Sequence, residues 1–237
     1  MMNAMPIFPD LSRRHLQPEL MDQPGLDRAA HDGALAALAR INALSGSARI
    51  LWRELRQQGS APLRVLDVAT GGGDVPIRLW HKARRAGLKL TIAGCDRSPI
   101  AIEHAQRRAK EQQAAVEFFP LDALADPLPA GYDVLTSSLF LHHLEAADAV
   151  ELLRRMAQAA RVVLINDLTR SRLGYALAWL GTRLISRSQV THIDGPLSVE
   201  GAFTPAEALA LAHQAGLAGA KVARRWPSRY LLKWERT

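Results

Sequence analysis

From residue 63 onward, short aliphatic runs rich in β-branched residues alternate with longer stretches whose apolar positions recur every three or four residues. Such alternation predicts strands at 64–68, 89–95, 116–121, 132–138 and 161–166, with helices at 74–86, 98–113 and 146–159 between them. Strand and helix in turn imply a parallel sheet covered by helices on both faces, which is why the strands are apolar almost throughout. Thr204-Pro205-Ala206-Glu207 is a capping box with proline in the first helical position, and Gly216 closes that helix after Ala215. Two more strands, 220–224 and 229–234, follow on either side of Trp226, Pro227 and Ser228.

Two regions stand apart from this rhythm. Segment 12–58 carries Leu35, Leu38, Ile41, Leu44 and Leu51 at helical spacing, interrupted by Pro18, Pro24 and Gly46, and predicts two or three helices that cannot form a core alone. Segment 169–203 is too long for a simple connection and is expected to form a lid or substrate pocket. Its apolar stretch, 173–185, is too short to span a bilayer and contains Arg183, so a buried or lid helix is expected. The chain therefore divides into an N-terminal helical cap, 1–60, and a main domain, 61–237, with an insertion at 169–203.

A chain of 237 residues that is 48% hydrophobic can bury one substantial core. Cys95 is the only cysteine, which leaves no disulfide framework and no cysteine zinc site, fits a reducing compartment, and points to inert packing within a strand. Asp10, Arg13, Arg14, Glu19 and Asp22 interrupt the first thirty residues, so neither a secretory signal nor a membrane anchor is expected, and a cytoplasmic location is. The formal charge of +7 raises the question of nucleic acid. The arginines, however, fall in scattered pairs such as Arg84-Arg85 and Arg154-Arg155 on expected helix faces, and aromatic residues are only 5% of the chain, which leaves few stacking platforms.

The chemistry begins at residues 65–74, VLDVATGGGD. An apolar strand runs through an acid into three consecutive glycines, a turn that lets backbone approach a nucleotide-like ligand. Pro76 stands where a dinucleotide fingerprint has its third glycine, and Asp67 sits near the strand end. Both features favour a cofactor with a positively charged, amino-acid-bearing end over a nicotinamide or flavin. The stretch resembles motif I of class I S-adenosylmethionine-dependent methyltransferases. Its D-x-A-T-G-x-G-D form is most similar to the ubiquinone and menaquinone biosynthesis methyltransferases and their relatives acting on phenols and polyketides, over about residues 63–167. The resemblance implies a Rossmann-like α/β fold, with a seven-stranded, mostly parallel sheet, a C-terminal antiparallel hairpin and N-terminal helices over the cofactor or substrate mouth. It also implies S-adenosylmethionine as donor, S-adenosylhomocysteine as product, no metal, and a small-molecule acceptor.

In an open α/β sheet the ligand lies across the carboxyl ends of the strands. Asp67, Asp96 and Asp122 are expected at the ends of the first three strands, and Asp167 after the fifth. Asp96, 25 residues beyond Gly71, is placed to accept ribose hydroxyls, or to serve as a capping acid before Ser98-Pro99. By resemblance, Asp122 and Ala123 belong to an adenine-binding segment, although Asp122 could equally be an ordinary helix-start acid. Gly71, Gly72 and Gly73 would wrap the methionine part, and Asp67 would orient their loop or reach the amino group. Carbonyls near Ser137 would hold the amino-acid portion, and Ala69, Arg97 and Ser138 complete the expected cofactor shell. Of the pair His142-His143, one lines the active site, or both cap and pack the following helix.

Methyl transfer is a direct displacement, so alignment and exclusion of water carry most of it, with proximity alone able to supply about 7–11 kcal/mol. A phenolic acceptor, with a pKa of about 10, must also lose a proton, and a general base typically contributes about 10²–10⁴ in rate. The candidates are His143, Asp167, His192 and Asp194. His192 is favoured because Thr191-His192-Ile193-Asp194-Gly195 is expected as a polar loop, though a surface histidine would read the same way. Arg170 and the Arg224-Arg225-Trp226 turn could hold an acidic or keto oxygen of the acceptor, or be solvated. The function expected is methyl transfer to a phenolic, quinone or polyketide-like oxygen or carbon, by a monomer or homodimer. The alternatives are an RNA methyltransferase, disfavoured because Ser137-Ser138-Leu139-Phe140 stands in place of (D/N)-P-P-(Y/F), and a non-catalytic binder of the same cofactor, disfavoured by an intact motif I.

Overall fold

The computed structural model describes residues 8–22, 27–59, 61–186 and 188–236. Pro24 and the first seven residues of the expected cap lie outside them. Helices α1 (Arg28–Ser45) and α2 (Ser47–Leu55) precede strand β1 (Leu63–Val68), which is followed by α3 (Asp74–Arg85), β2 (Leu90–Asp96), α4 (Pro99–Glu111) and β3 (Val116–Pro120). Next come β4 (Val134–Ser138), α5 (Ala146–Ala159), β5 (Val162–Leu168), α6 (Arg172–Ile185), α7 (Gln189–Gly201) and α8 (Pro205–Gln214), and the hairpin β6 (Lys221–Arg225) and β7 (Arg229–Glu235) closes the chain.

The strands form one seven-stranded sheet in the order β3-β2-β1-β4-β5-β7-β6. The first five are mutually parallel, and β7 runs antiparallel to both β5 and β6. This is a Rossmann-like α/β sheet, and its order reverses between β1 and β4. Alternate residues of the strands feed two faces. Val65, Ile92 and Val134 pack with Leu51 and Leu55 of α2 and Leu79 of α3, whereas Leu66, Leu135 and Ile165 pack with α5 and α8 through Leu152, Met156 and Leu211. Both faces are dry, as buried parallel strands require. The capping box forms in full, with Thr204 accepting from the Glu207 amide and Glu207 from the Thr204 amide, and Gly216 takes φ +84° after the helix.

The structure departs from the sequence-based expectation in three places. Residues 8–19 form a strap with no regular secondary structure, leading into a short 3-10 turn at Leu20–Asp22. Arg14 fastens the strap, donating to the carbonyls of Gly201, His142 and Leu144 and lying 4.0 Å over the Phe203 ring. Residues 191–195 are not a polar loop but part of α7, in which Pro196 is also accommodated. Gly195 permits this packing: a Cβ there would come within 2.5 Å of Thr182 Cγ2 on α6. Asp167 lies inside β5 rather than after it. No helix among the described residues is long and apolar enough to cross a membrane.

Candidate functional site

Strap, α1, α6 and α7 roof a cavity of about 730 Å³ over the carboxyl ends of β1, β2, β4 and β5, a size typical of small-molecule sites. One end is built by the turn after β1. Ala69, Gly71 and Gly73 all have positive φ, at +54°, +52° and +70°. Asp67 holds this turn from beneath: one carboxylate oxygen accepts from Thr70 Oγ1 at 2.8 Å, the other from Thr136 Oγ1 of β4 at 2.6 Å. Burial pushes the Asp67 carboxyl up to about 7, against the two hydroxyl bonds that pull it down. Both oxygens are thus occupied and Asp67 is not in the cavity wall, so it orients the loop.

The three glycines do different work. Gly71 and Gly72 line the cavity, and nothing lies within 4 Å of where a Gly71 Cβ would be. Gly73 is a packing glycine, whose Cβ would meet the Phe118 ring at 2.7 Å and Ala105 at 2.8 Å. Asp96 bridges the turn to α4, accepting from the Gly71 amide at 2.8 Å and the Ser98 amide at 2.9 Å. The helix cap itself is Ser98, which accepts from the Ala101 amide. Asp122 accepts from the Leu124 and Ala125 amides at 2.9 and 3.3 Å and lines the cavity with Ala123, Arg97 and Ser138.

The other end is polar in one place and apolar elsewhere. A 3-10 turn at Leu141–His143 follows β4 and carries the histidine pair. His142, 4% exposed, donates from Nδ1 to Asp167 Oδ1 at 2.6 Å, and its amide donates to Asp167 Oδ2 at 3.2 Å. Burial acts to raise the Asp167 carboxyl, but the charge and hydrogen bond of His142 and the Leu168 amide outweigh it and hold it below the ordinary carboxylate range. With Nδ1 as donor, His142 keeps Nε2 as an acceptor. That nitrogen faces Glu19 Oε1 of the strap at 3.8 Å, and His143 Nε2 lies 4.0 Å from the same oxygen. Glu19 is itself buried and accepts from Ser198 of α7. One donor atom from each of Glu19, His142 and His143 falls within 4.8 Å of the others, a set that could also hold a divalent cation. Leu16, Leu35, Leu38, Leu177 and Leu197 supply apolar wall to the cavity.

Several expected residues are placed elsewhere. His192 is outside the cavity wall, with Nε2 donating to the Ser186 carbonyl at 2.7 Å, because the helix turns it toward the α6–α7 junction. Asp194 does line the cavity, but its oxygens accept the Leu20 and Met21 amides at 2.8 and 3.1 Å and so clamp the strap. Arg170 is not solvated: it pairs with Glu207 at 2.6 Å and donates to the carbonyls of Ala202 and Leu11. Arg225 pairs with Glu54, and Trp226 is exposed. The residues that sequence reasoning missed are Glu19 and Arg229, both buried in the cavity wall. Nothing local marks either, since their partners lie about 180 positions away in the chain.

Residues 65–162 match the family model of a methyltransferase domain. The chain is 34% identical over 129 residues to a demethylmenaquinone methyltransferase of Thermus thermophilus, covering 52% of this chain and 57% of that protein. It is 29% identical over 174 residues to a ubiquinone biosynthesis O-methyltransferase of Bordetella parapertussis, covering 71% of this chain and 68% of the relative. The match thus spans little more than half the length of the first of these relatives. Among solved structures, human N-acetylserotonin methyltransferase in complex with S-adenosylmethionine superposes with a TM-score of 0.64 at 17% identity, over 89% of this chain and 56% of that one. At that identity the likeness is one of fold.

Proposed function

The chain belongs to the class I S-adenosylmethionine-dependent methyltransferases, and from that premise we propose that it methylates a hydroxyl oxygen of a small phenolic, quinone or polyketide-like acceptor. The observation that carries this reading is the continuity of one cavity, from the Gly71-Gly72 turn and Asp96 at one end to the Asp167-backed His142 at the other. The donor end fits: Gly71 leaves open space where any side chain would intrude, and Asp96 and Asp122 stand at neighbouring strand ends. The bound donor supplies an electrophilic methyl group on sulfur.

The chain's own residues supply alignment, dryness and a proton acceptor. His142 Nε2 takes the acceptor's hydroxyl proton, leaving an oxygen anion whose lone pair forms the new bond to carbon as the carbon–sulfur pair returns to sulfur. Asp167 fixes the tautomer of His142 and stabilises the imidazolium that results, and Glu19 faces it from the other side. His143, beside His142 with ring centroids 4.3 Å apart, shares the field of Glu19. Strap, α6 and α7 exclude water, which strengthens these electrostatic contacts. An aromatic acceptor is favoured by the leucine-rich wall of the cavity, and the names of the relatives, a demethylmenaquinone methyltransferase and a ubiquinone biosynthesis O-methyltransferase, lend support to a quinone-like one.

The test is turnover with S-adenosylmethionine against pairs of hydroxylated aromatics and quinols that differ only in one hydroxyl. The expected result is a product heavier by one methylene at that oxygen, formed with one S-adenosylhomocysteine. Methylation at carbon or nitrogen in a ring lacking that hydroxyl would contradict the proposal.

A further inference from the structure

Glu19, His142 and His143 all line the cavity at its polar end. One donor atom of each lies within 4.8 Å of the other two, and among the described residues no other three His, Cys, Asp or Glu side chains are so gathered. His142 is 4% exposed, yet its Nε2 makes no hydrogen bond among the described residues, and Glu19 Oε1 stands off at 3.8 Å. His143 Nε2 lies 4.0 Å from the same oxygen. The donors are anchored from behind. Asp167 accepts from His142 Nδ1 at 2.6 Å, Ser198 of α7 donates to Glu19, and Asp194 grips the Leu20 and Met21 amides next to it. Arg14 donates to the carbonyls of His142 and Leu144 and so fixes the turn that carries both rings.

A carboxylate behind a histidine is the usual outer shell of a metal-bound imidazole. Two imidazole nitrogens and a carboxylate oxygen, with a fourth position open to a cavity, suit zinc; magnesium prefers oxygen ligands and waters. Zinc bonds of about 2.0–2.2 Å ask each donor to move inward by roughly half an ångström. The Glu19 and Asp167 carboxylates also bring to this buried end the negative charge that a divalent cation neutralises. We propose that Glu19 Oε1, His142 Nε2 and His143 Nε2 bind a single Zn²⁺, and that the filled site inhibits methyl transfer. The inhibition, unlike the binding, rests on the role given above to His142. Zinc takes the Nε2 lone pair that otherwise accepts the hydroxyl proton, and a water molecule completes its coordination. The proton then stays on the acceptor oxygen, and no bond to the methyl carbon forms. Zinc is therefore an inhibitor and not part of the catalyst.

The experiment titrates the metal-free full chain with zinc chloride by calorimetry and follows turnover over the same concentrations. One zinc per chain is expected, undisplaced by excess magnesium chloride, with turnover falling in step with occupancy and returning on addition of EDTA. Glu19→Gln and His143→Ala are each expected to weaken zinc binding about tenfold or more, and Asp167→Asn, through His142, by about 10–100-fold. His213→Ala, which removes an exposed histidine in the last turn of α8, should leave zinc binding unchanged. Absence of zinc binding overturns the site, and so does a zinc affinity that both Glu19→Gln and His143→Ala preserve. One zinc bound there with turnover intact overturns the inhibition and takes the base role from His142. Failure of the methyl-transfer reading shows separately, as metal-free protein that turns over no acceptor while still binding zinc.

Discussion

His142 Nδ1 and Asp167 Oδ1 stand 2.6 Å apart, both nearly sealed from water. The bond fixes which nitrogen of the ring is left to accept a proton, and it orients that nitrogen toward the buried Glu19. Replacing His142 with Gln is therefore expected to lower kcat by about 10²–10⁴, the usual contribution of a general base, with S-adenosylhomocysteine affinity unchanged by calorimetry. Full turnover by His142→Gln would assign proton removal to another group.

Asp96 joins the glycine turn to the start of α4 through the Gly71 and Ser98 amides. A hydrogen bond to a charged group contributes about 1.5–3 kcal/mol, so Asp96→Ala is expected to weaken donor binding by at least about tenfold. Unchanged affinity would remove Asp96 from the donor site.

The two positive-φ glycines of the turn separate packing from binding. Ala at position 73 would suffer left-handed strain of about 1–2 kcal/mol and overpacking of about 1–3 kcal/mol against Phe118 and Ala105. Ala at position 71 meets the strain alone, but its methyl group enters the cavity. Thermal melts should rank Gly73→Ala as the less stable protein, and calorimetry should show a clear loss of donor affinity in Gly71→Ala. The reverse ranking in stability would refute this division of roles.

Asp67 predicts a pH dependence. Its folded value of about 7 exceeds the ordinary aspartate value of about 3.9, so the folded state binds the extra proton between them. That contribution to stability is complete below the unfolded value and is lost as pH rises through about 7. Asp67→Asn, which cannot ionise, should gain in melting temperature relative to wild type as pH goes from 5 to 8. A constant difference across that range would show that Asp67 does not titrate there.

Much of this arrangement is legible in the chain itself, and what is not has a physical reason. Residues 63–168 show their strands because β1, β2, β4 and β5 are buried through most of their length, and Asp67, Asp96 and Asp122 then fall near strand ends by position alone. Helix α7 escapes because Gly195 and Pro196 are loop signals locally, whereas tight packing on Thr182 gives the glycine a tertiary use. Arg14 and Glu19 read as solvated charges in a polar segment, yet their partners lie more than 120 positions away. Of His142 and His143, only the geometry of the 3-10 turn decides which meets Asp167. Arg170, which from the sequence could hold an acceptor oxygen or be solvated, does neither and ties strap, α8 and the α7–α8 junction together.

The Glu19, His142 and His143 donors are spaced to hold a divalent ion, but in the proposed reaction they handle a proton. Turnover is accordingly expected to survive exhaustive chelation. Loss of activity that a divalent metal restores would replace the base with a metal centre.

The central claim is that the glycine-lined cavity takes a sulfonium donor, and thermal protection tests it most directly. A ligand present at about 100 times its Kd stabilises the folded state by about 2.7 kcal/mol, roughly 5–10 °C for a domain of this size. S-adenosylhomocysteine is expected to raise the melting temperature by that amount, and a nicotinamide dinucleotide to leave it unchanged. Protection by the dinucleotide and none by S-adenosylmethionine or S-adenosylhomocysteine would contradict the account.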